Sequence, residues 1–409
     1  MITNDAVLFG ILAVMLGGVF YTTSSPSPFW KGFYKWVPAL LVCYFLPSLL
    51  NTFGMVDGEK SKLYFVASRY LLPASLVLLT LSIDFKRIIA LGPKALVMFF
   101  TGTAGIVVGG PIAIIIMSWI NPDVVGGHGP DAVWRGMTTV AGSWIGGGAN
   151  QAAMKEIYGV GDQMFSIMVT IDIIVANIWM AVLLFFAARA KQIDEKNGAD
   201  ASAITDLQHT VEAFQRKHAR NPELSDLMLI SAVAFGVVGL AHFGADYLSN
   251  AISAIESMAN SNLASHFFWL VVLATTCGLL LSFTRARKFE AVGASKVGSV
   301  FIYILVATIG LKMDVTAIGE TPAMFVVGGI WMLIHASLLL IVAKIIKAPI
   351  FFLAVGSQAN VGGAASAPVV ASAFHPSLAP VGVLLAVLGY ALGTYAALLT
   401  GTLMQMVAP

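Results

Sequence analysis

The sequence predicts an all-α polytopic membrane protein made of two repeats. Three observations carry that reading: scarce charge, long apolar runs, and a glycine-broken segment that occurs twice. The 409 residues are 58% hydrophobic and 11% charged, with a mean hydropathy of +0.86. A water-soluble domain carries about a quarter charged residues. Half that share leaves too little charge to cover a wetted surface. The net charge of +2 offers no basic field for nucleic acid. Cys43 and Cys277 both lie in apolar runs, and two cysteines cannot build a disulfide framework.

Apolar runs lie near 5–22, 36–54, 63–83, 95–119, 164–188, 228–245, 266–284, 294–311, 323–343 and 379–406. About 20 helical residues cross the hydrocarbon core, so these runs are candidate spans. The first has no basic stretch before it and no small-residue cleavage site after it, so a span is expected rather than a signal peptide. Two further segments, about 136–158 and 350–374, are rich in small residues instead. A single long polar stretch separates the halves. This predicts an N-terminal transmembrane repeat over 1–189, a cytoplasmic polar linker over 190–227 and a C-terminal transmembrane repeat over 228–409. Helical spacing from Asp206 to His218 predicts a surface helix in an otherwise solvated tether.

The halves share an order of motifs. In the first, a span ends in LTLSIDFKRIIALGPK, with Asp84 nine residues before Pro93. In the second, a span ends in ATIGLKMDVTAIGETP, with Asp314 eight residues before Pro322. An apolar helix follows in each. Then comes the broken segment, AGSWIGGGANQAAMKEIYG against VGSQANVGGAASAPVVASAF. Gly142-Ser143 matches Gly356-Ser357, and Gly147-Gly148-Ala149 matches Gly362-Gly363-Ala364. A last apolar helix closes each half. Matches in the same order on both sides predict a duplication.

Loop charge predicts how the copies face, because basic residues near span ends favour the cytoplasm. Lys86, Arg87, Lys94, Arg285, Arg287, Lys288, Lys296 and the linker cations fall inside by that rule. The loop over 120–134 and the one holding Lys312, Asp314 and Glu320 suit the outside. Two re-entrant hairpins give ten crossings and inverted repeats, whereas two full crossings give twelve. A broken crossing with one fewer ordinary span also gives inversion. Loop charge favours inverted repeats with discontinuous helices at the core.

The broken segments are the expected binding site. Irregular backbone survives at membrane depth only where protein or a water-filled cavity surrounds it. A helix broken there frees N–H groups that suit a carboxylate and carbonyls that suit Na⁺. Neutral amides and hydroxyls serve either partner without burying a charge. The expected substrate-binding residues are Ser143, Gly147, Gly148, Asn150 and Gln151, with Ser357, Gln358, Asn360, Gly362, Gly363 and Ser366. Close helix packing through small residues is the plainer reading. It accounts for the glycines and not for the amides.

Asp172 lies within VTIDIIVANIWMAVLLF. A carboxylate inside a span is costly and by default marks an ion or proton site. Asn177 follows five residues on, and the matching helix of the second half has Thr394, with Tyr390 and Tyr395, in place of an acid. Asp172, Asn177 and Thr394 are the expected ion-coupling residues. Asn150, Asp172 and Gln358 are the expected Na⁺ ligands, with Na⁺ or H⁺ as coupling ion and no other cofactor. Arg69 is expected near the outer end of its span or against the substrate. His335 is expected to be a packing residue, and Lys155 and Glu156 to face water or each other. The chain has no HExxH, no close pair of intramembrane aspartates and no serine beside an evident buried histidine. An enzyme is therefore not expected.

GSWIGGGANQ, following a span that ends LSIDFKR, resembles the core of bile-acid:sodium and glutamate:sodium symporters. These belong to the cation:proton antiporter and anion-transporter superfamily. The whole chain, GSQANVGGAASAP included, resembles the YjcL-like membrane family of that superfamily. The resemblance implies a panel domain and a core domain with crossed discontinuous helices, elevator-like movement of one against the other, and a homodimer in a bacterial inner membrane. By position it places Ser143, Asn150 and Gln151 in the first crossover, and Gln358, Asn360 and Ser366 in the second. Asp172 stands where related antiporters carry ion-coupling acids. The chain departs from those antiporters in lacking a second adjacent acid, and from the bile-acid symporters in lacking an acid in the second broken segment. The expected function is a Na⁺- or H⁺-coupled symporter of a small organic anion, amino acid or short peptide. An uncoupled channel or exporter is the alternative.

Overall fold

Apolar runs with no charge to expose become helices here, because only intrasegment hydrogen bonding satisfies a backbone surrounded by hydrocarbon. A computed structural model describes residues 2–37, 39–56, 60–199, 204, 222–256, 258, 262–312, 322–375 and 378–409. Among the described residues the protein is helical, with no strand beyond an isolated bridge between Ile2 and Val56. The surface helix expected over Asp206 to His218, and the residues Asp314 and Glu320, lie outside the described residues.

The first half contains α1 (Asp5–Thr23), α2 (Pro28–Trp36), α3 (Ala39–Thr52), α4 (Leu63–Leu81), α5 (Phe85–Ala90), α6 (Pro93–Ile120), α7 (Val133–Ile157) and α8 (Asp162–Ala187). A short helix, α9 (Ala190–Asn197), opens the linker. The second half contains α10 (Leu224–Ser253), α11 (His266–Ser282), α12 (Ala294–Gly310), α13 (Ala323–Ile345), α14 (Ile350–Val361), α15 (Gly363–Phe374) and α16 (Ala379–Val407). Seven of these are long and apolar enough to cross a membrane, or up to nine if two bent pairs each count as one span. The sequence led us to expect ten. The difference falls on helices such as α12 that are apolar but short. The helix α2, lined by Trp30, Phe33 and Tyr34, was not anticipated.

The two broken segments are helical hairpins. A straight helix of 25 residues, the length of α7, would run about 37 Å at 1.5 Å per residue. Instead the two ends of α7 lie side by side. The Trp134 and Tyr158 rings are 5.9 Å apart, and Gly161 donates its N–H to the Pro130 carbonyl at 2.9 Å. Reversal occurs at Gly147, with φ 74° and ψ −174°, a combination essentially confined to glycine. The second hairpin turns between α14 and α15 at Gly362 and Gly363, the latter with φ 56°. Phe351 and Phe374 close its base with rings 5.2 Å apart.

The last helix fixes how the hairpins are disposed. A Cβ on Gly382 would stand 2.6 Å from the Ala367 backbone, in the returning arm of the second hairpin. Seven residues on, a Cβ on Gly389 would lie 2.5 Å from the Ile145 carbonyl and 3.6 Å from that of Ala359, one from each hairpin. A Cβ on Gly393 would lie 2.5 Å from Gly146 Cα, and Gly401 abuts Tyr158 at the base of the first hairpin. Moving along α16, the chain passes from the second hairpin, through both tips, to the foot of the first. The hairpins therefore enter from opposite ends and meet near the middle of α16. Close approach of backbones through small residues is how membrane helices associate, since lipid gives no hydrophobic drive.

Around this unit, α4 packs between α11 and α12, through Gly278 against Val77 and Thr80 and through Gly298 against Ser75 and Leu78. The outer face of α10 exposes Leu240, Phe243 and Tyr247 at 69%, 78% and 73%. Such a stripe is tolerated in hydrocarbon and costly in water.

The linker begins as structure, not as a free tether. Asp194 of α9 is buried and accepts the N–H of Ile350 at 2.8 Å. That N–H opens α14, where Pro349 supplies no side-chain cap. Asp194→Ala is expected to lower stability by about 1 kcal/mol, the usual worth of an N-cap. Asp194→Asn keeps an acceptor oxygen and is expected to lose less. Melting temperatures in detergent read both; equal losses would show that the bond is not the cause.

Candidate functional site at the hairpin tips

Reversal at Gly147 breaks the helical bond that would join Asn150 N–H to the Gly146 carbonyl. The Asn150 side chain replaces it, with Nδ2 donating to the Gly146 oxygen at 2.9 Å. Its Oδ1 accepts from Thr394 Oγ1 of α16 at 2.6 Å. Asn360 near the second tip makes a matching pair of bonds from within a regular helix: Nδ2 donates to the Gly356 carbonyl at 3.0 Å, and Oδ1 accepts from Thr103 Oγ1 of α6 at 2.8 Å. Each hairpin is thus pinned by a threonine from the other half. Thr394 was expected at the site. Thr103 was not, and the two threonines, Thr101 and Thr103, within the otherwise apolar FFTGTAGIVVGG are the signal that could have found it.

Asp172 is buried on α8, beside the first hairpin. Its Oδ1 accepts from Trp144 Nε1 at 2.7 Å and its Oδ2 from Gln151 Nε2 at 2.9 Å. Tyr44 of α3 donates to Gln151 Oε1 at 3.3 Å. Neutral donors thus hold the carboxylate, and they bridge it to the tip one residue past Asn150. Among the second hairpin's residues, Ser357 Oγ accepts from Trp179 Nε1 at 2.7 Å and bonds His335 Nε2 at 2.8 Å. His335 Nδ1 faces the Gly102 carbonyl at 2.9 Å. A carbonyl only accepts, so Nδ1 carries the hydrogen and Ser357 donates to Nε2. This corrects the sequence reading that no serine stands beside a buried histidine. Both residues have no exposed surface. The pair fastens the hairpin to α13.

Gln358 donates to Ser366 Oγ across the second turn at 2.6 Å. Its Oε1 is buried with no hydrogen-bond partner among the described residues. Whichever way the amide is turned, one end stays unused. Asn150, Gln151 and Asn360 are already bonded at both ends, so Gln358 is the tip amide with capacity to spare. Gly147, Gly148, Gly362, Ala364, Ser366 and Tyr390 are half-buried, while most of the adjoining chain is buried.

The expected Na⁺ ligands fall into three separate groups. Asn150 turns to Thr394, Asp172 to Trp144 and Gln151, and Gln358 to Ser366. Asn177 donates to the Ile173 carbonyl of its own helix at 2.7 Å and does not join Asp172. Ser143 is buried beside the Asp172 carboxylate. Gly363 faces open space. Lys155 and Glu156, expected to meet water or each other, bond elsewhere. Arg69 pairs with Glu156 at 2.7 Å and Lys155 with Asp162 at 2.7 Å, with Tyr64 bonded to both Glu156 and Lys155. The span carrying Arg69 and Tyr64 is in this way tied to the foot of the first hairpin. A π-turn over Ala67–Leu71 surrounds Arg69 in that span.

The profile of the family described as "Protein of unknown function (DUF819)" matches residues 10–407. The chain belongs to the DUF819 family. A relative is the "Uncharacterized membrane protein YjcL" of Bacillus subtilis (strain 168), 23% identical over 382 residues, which are 88% of this chain and 89% of that protein. The match thus takes in both hairpins, the linker and nearly every apolar helix. This DUF819 protein is a multi-pass membrane protein.

Proposed function

We propose that this protein is a secondary active transporter, a Na⁺- or H⁺-coupled symporter of a small organic anion, amino acid or short peptide. The observation that carries the reading is the meeting of two oppositely inserted hairpins halfway along α16. Such a meeting point exposes free helix ends at mid-membrane, where N–H groups attract a carboxylate and carbonyls attract a cation. Gln358 supplies the spare amide, and Asp172 the buried charge that couples. The halves are inverted repeats, each with five crossings and one re-entrant hairpin. The sides follow from loop charge: Lys94 bonds the Lys347 carbonyl just before the second hairpin, and with the basic loops holding Lys86, Arg87 and Arg285 this end is the cytoplasmic one. The unit of α6, α8, α13, α16 and the two hairpins is the core. The remaining spans form the panel, and the core moves against it in an elevator step. The working form is a homodimer in a bacterial inner membrane.

The test is uptake by proteoliposomes, guided by a thermal-shift screen of amino acids, dipeptides and organic acids with and without Na⁺. A hit whose uptake follows an imposed Na⁺ or pH gradient is the expected result. Uptake indifferent to both gradients removes the coupling, and single-channel conductance in a planar bilayer assigns the protein to channels instead.

A further inference from the structure

Far from the hairpins, α1 packs closely on α12 along half of its length. In its first half, Leu8 and Leu12 meet Ala307 and Leu311 near the end of α12, and they are 1% and 2% exposed. In its second half the two helices part. A Cβ on Gly17 or Gly18 would meet nothing within 4 Å, and Phe20 and Val300 are 41% and 56% exposed. A groove of about 330 Å³ lies between the helices there, lined by Leu16, Gly17, Phe20, Val300 and Tyr303. The Phe20 ring meets Tyr303 edge-on across it, with centroids 4.7 Å apart. The charged residue of the lining is Lys296, in the first turn of α12. It has no ion-pair partner among the described residues. Glu290, six residues before it, is taken by Ser82 and Ser295 at 2.6 and 2.7 Å. The same end of the groove adjoins α2, because Thr22, two residues past Phe20, bonds Tyr34 Oη at 2.8 Å. The nine residues of α2, PFWKGFYKW, are aromatic and basic with no acid. A short helix of that composition lies at headgroup level.

We propose that this groove is a binding site for an anionic phospholipid, with one acyl chain between α1 and α12 and the headgroup phosphate on Lys296. The groove is apolar along its length and cationic at one end, and a phospholipid supplies the complement of both in a single molecule. The cation stands beside a helix at headgroup level, which is the depth where a lipid phosphate lies. Basic residues between spans at that depth select anionic lipids over zwitterionic ones. A second copy of the chain would have to bring its own carboxylate to the same place. The bound chain fastens the second half of α1 to α12, so it stabilises the folded state that binds it. The inference goes beyond the transport reading above and stands without it.

Melting temperatures of the whole protein in dodecylmaltoside test it. Phosphatidylglycerol and phosphatidylcholine with the same chains are added in parallel, with glycerol phosphate as the headgroup alone. Phosphatidylglycerol is expected to raise the melting temperature by about 2 °C or more beyond phosphatidylcholine, and glycerol phosphate to do nothing. Lys296→Gln is expected to erase the difference between the two lipids. Gly17→Leu fills the groove from a position where a side chain has room, and it is expected to lose the response to phosphatidylglycerol while folding normally. If it does not run as a single species on gel filtration, Val300→Trp takes its place. Equal shifts from both lipids in the parent, or a preference that survives Lys296→Gln, overturn the headgroup assignment. A full response in the filled groove overturns the site. A shift from glycerol phosphate alone assigns a free anion instead of a lipid. A change of oligomeric state on filling the groove, read by light scattering, assigns it to a second copy of the chain.

Discussion

Asp172→Asn is expected to abolish the dependence of solute uptake on the ion gradient, while the protein still folds. The two side chains have the same shape, so packing around α8 is preserved. What changes is charge and one hydrogen bond. Both carboxylate oxygens of Asp172 now accept, from Trp144 at 2.7 Å and from Gln151 at 2.9 Å. An asparagine offers one oxygen and one NH₂ group, so one of those donors will face another donor. Leaving a buried donor unmet costs about 1–3 kcal/mol. A moderate drop in melting temperature is therefore expected together with complete loss of coupling. The decisive measurement is the Na⁺-induced rise in melting temperature, taken at two pH values for parent and variant. A rise of the same size in both proteins would sink Asp172 as the coupling residue. Asp172→Ala should be worse, since both donors are stranded and a void opens beside Trp144.

Gly147→Ala carries the largest expected effect on folding. The position holds φ 74° with ψ −174°, where a residue with a Cβ is strained by about 1–3 kcal/mol or more. Crowding is not the cause, because the nearest atom to a new Cβ would be Tyr390 Cε1 at 3.4 Å. The neighbouring Gly148→Ala is the control. Its nearest atom would be Ile302 at 3.8 Å and its φ is not positive, so a change within about 0.5 kcal/mol is expected there. The pair is read by thermal unfolding in detergent. A Gly147→Ala protein as stable as Gly148→Ala would mean that the first segment does not reverse at this residue.

Much of this arrangement was legible in the sequence, for a physical reason. Irregular, small-residue chain cannot face lipid, so GSWIGGGANQ and GSQANVGGAASAP stood out against pure apolar runs. Hairpins fit the charge of the loops, and hairpins are what the segments form. Partnerships were not legible. Asn150 and Thr394 are 244 residues apart, and their bond depends on how far α16 slides past the first tip. Periodicity within a span does not encode that register. Trp144 and Trp179 read as bulky apolar residues, yet their indole N–H groups serve Asp172 and Ser357. A tryptophan close to intramembrane polar residues is the signal to look for, because its N–H must be satisfied when buried. Asp194 was lost in a run of charges that reads as solvated, since only the fold brings the uncapped start of α14 to it.

Gly393 is the fifteenth of the 29 residues of α16, so the tips meet at half its length. In a membrane that carries a voltage, an ion at that depth has already fallen through about half of it. A full crossing is worth about 2.3 kcal/mol per charge at 100 mV, which leaves roughly half that for arrival alone. If the site takes a cation as proposed, membrane potential acts on its occupancy as well as on turnover, and depolarisation releases the ion before any part has moved.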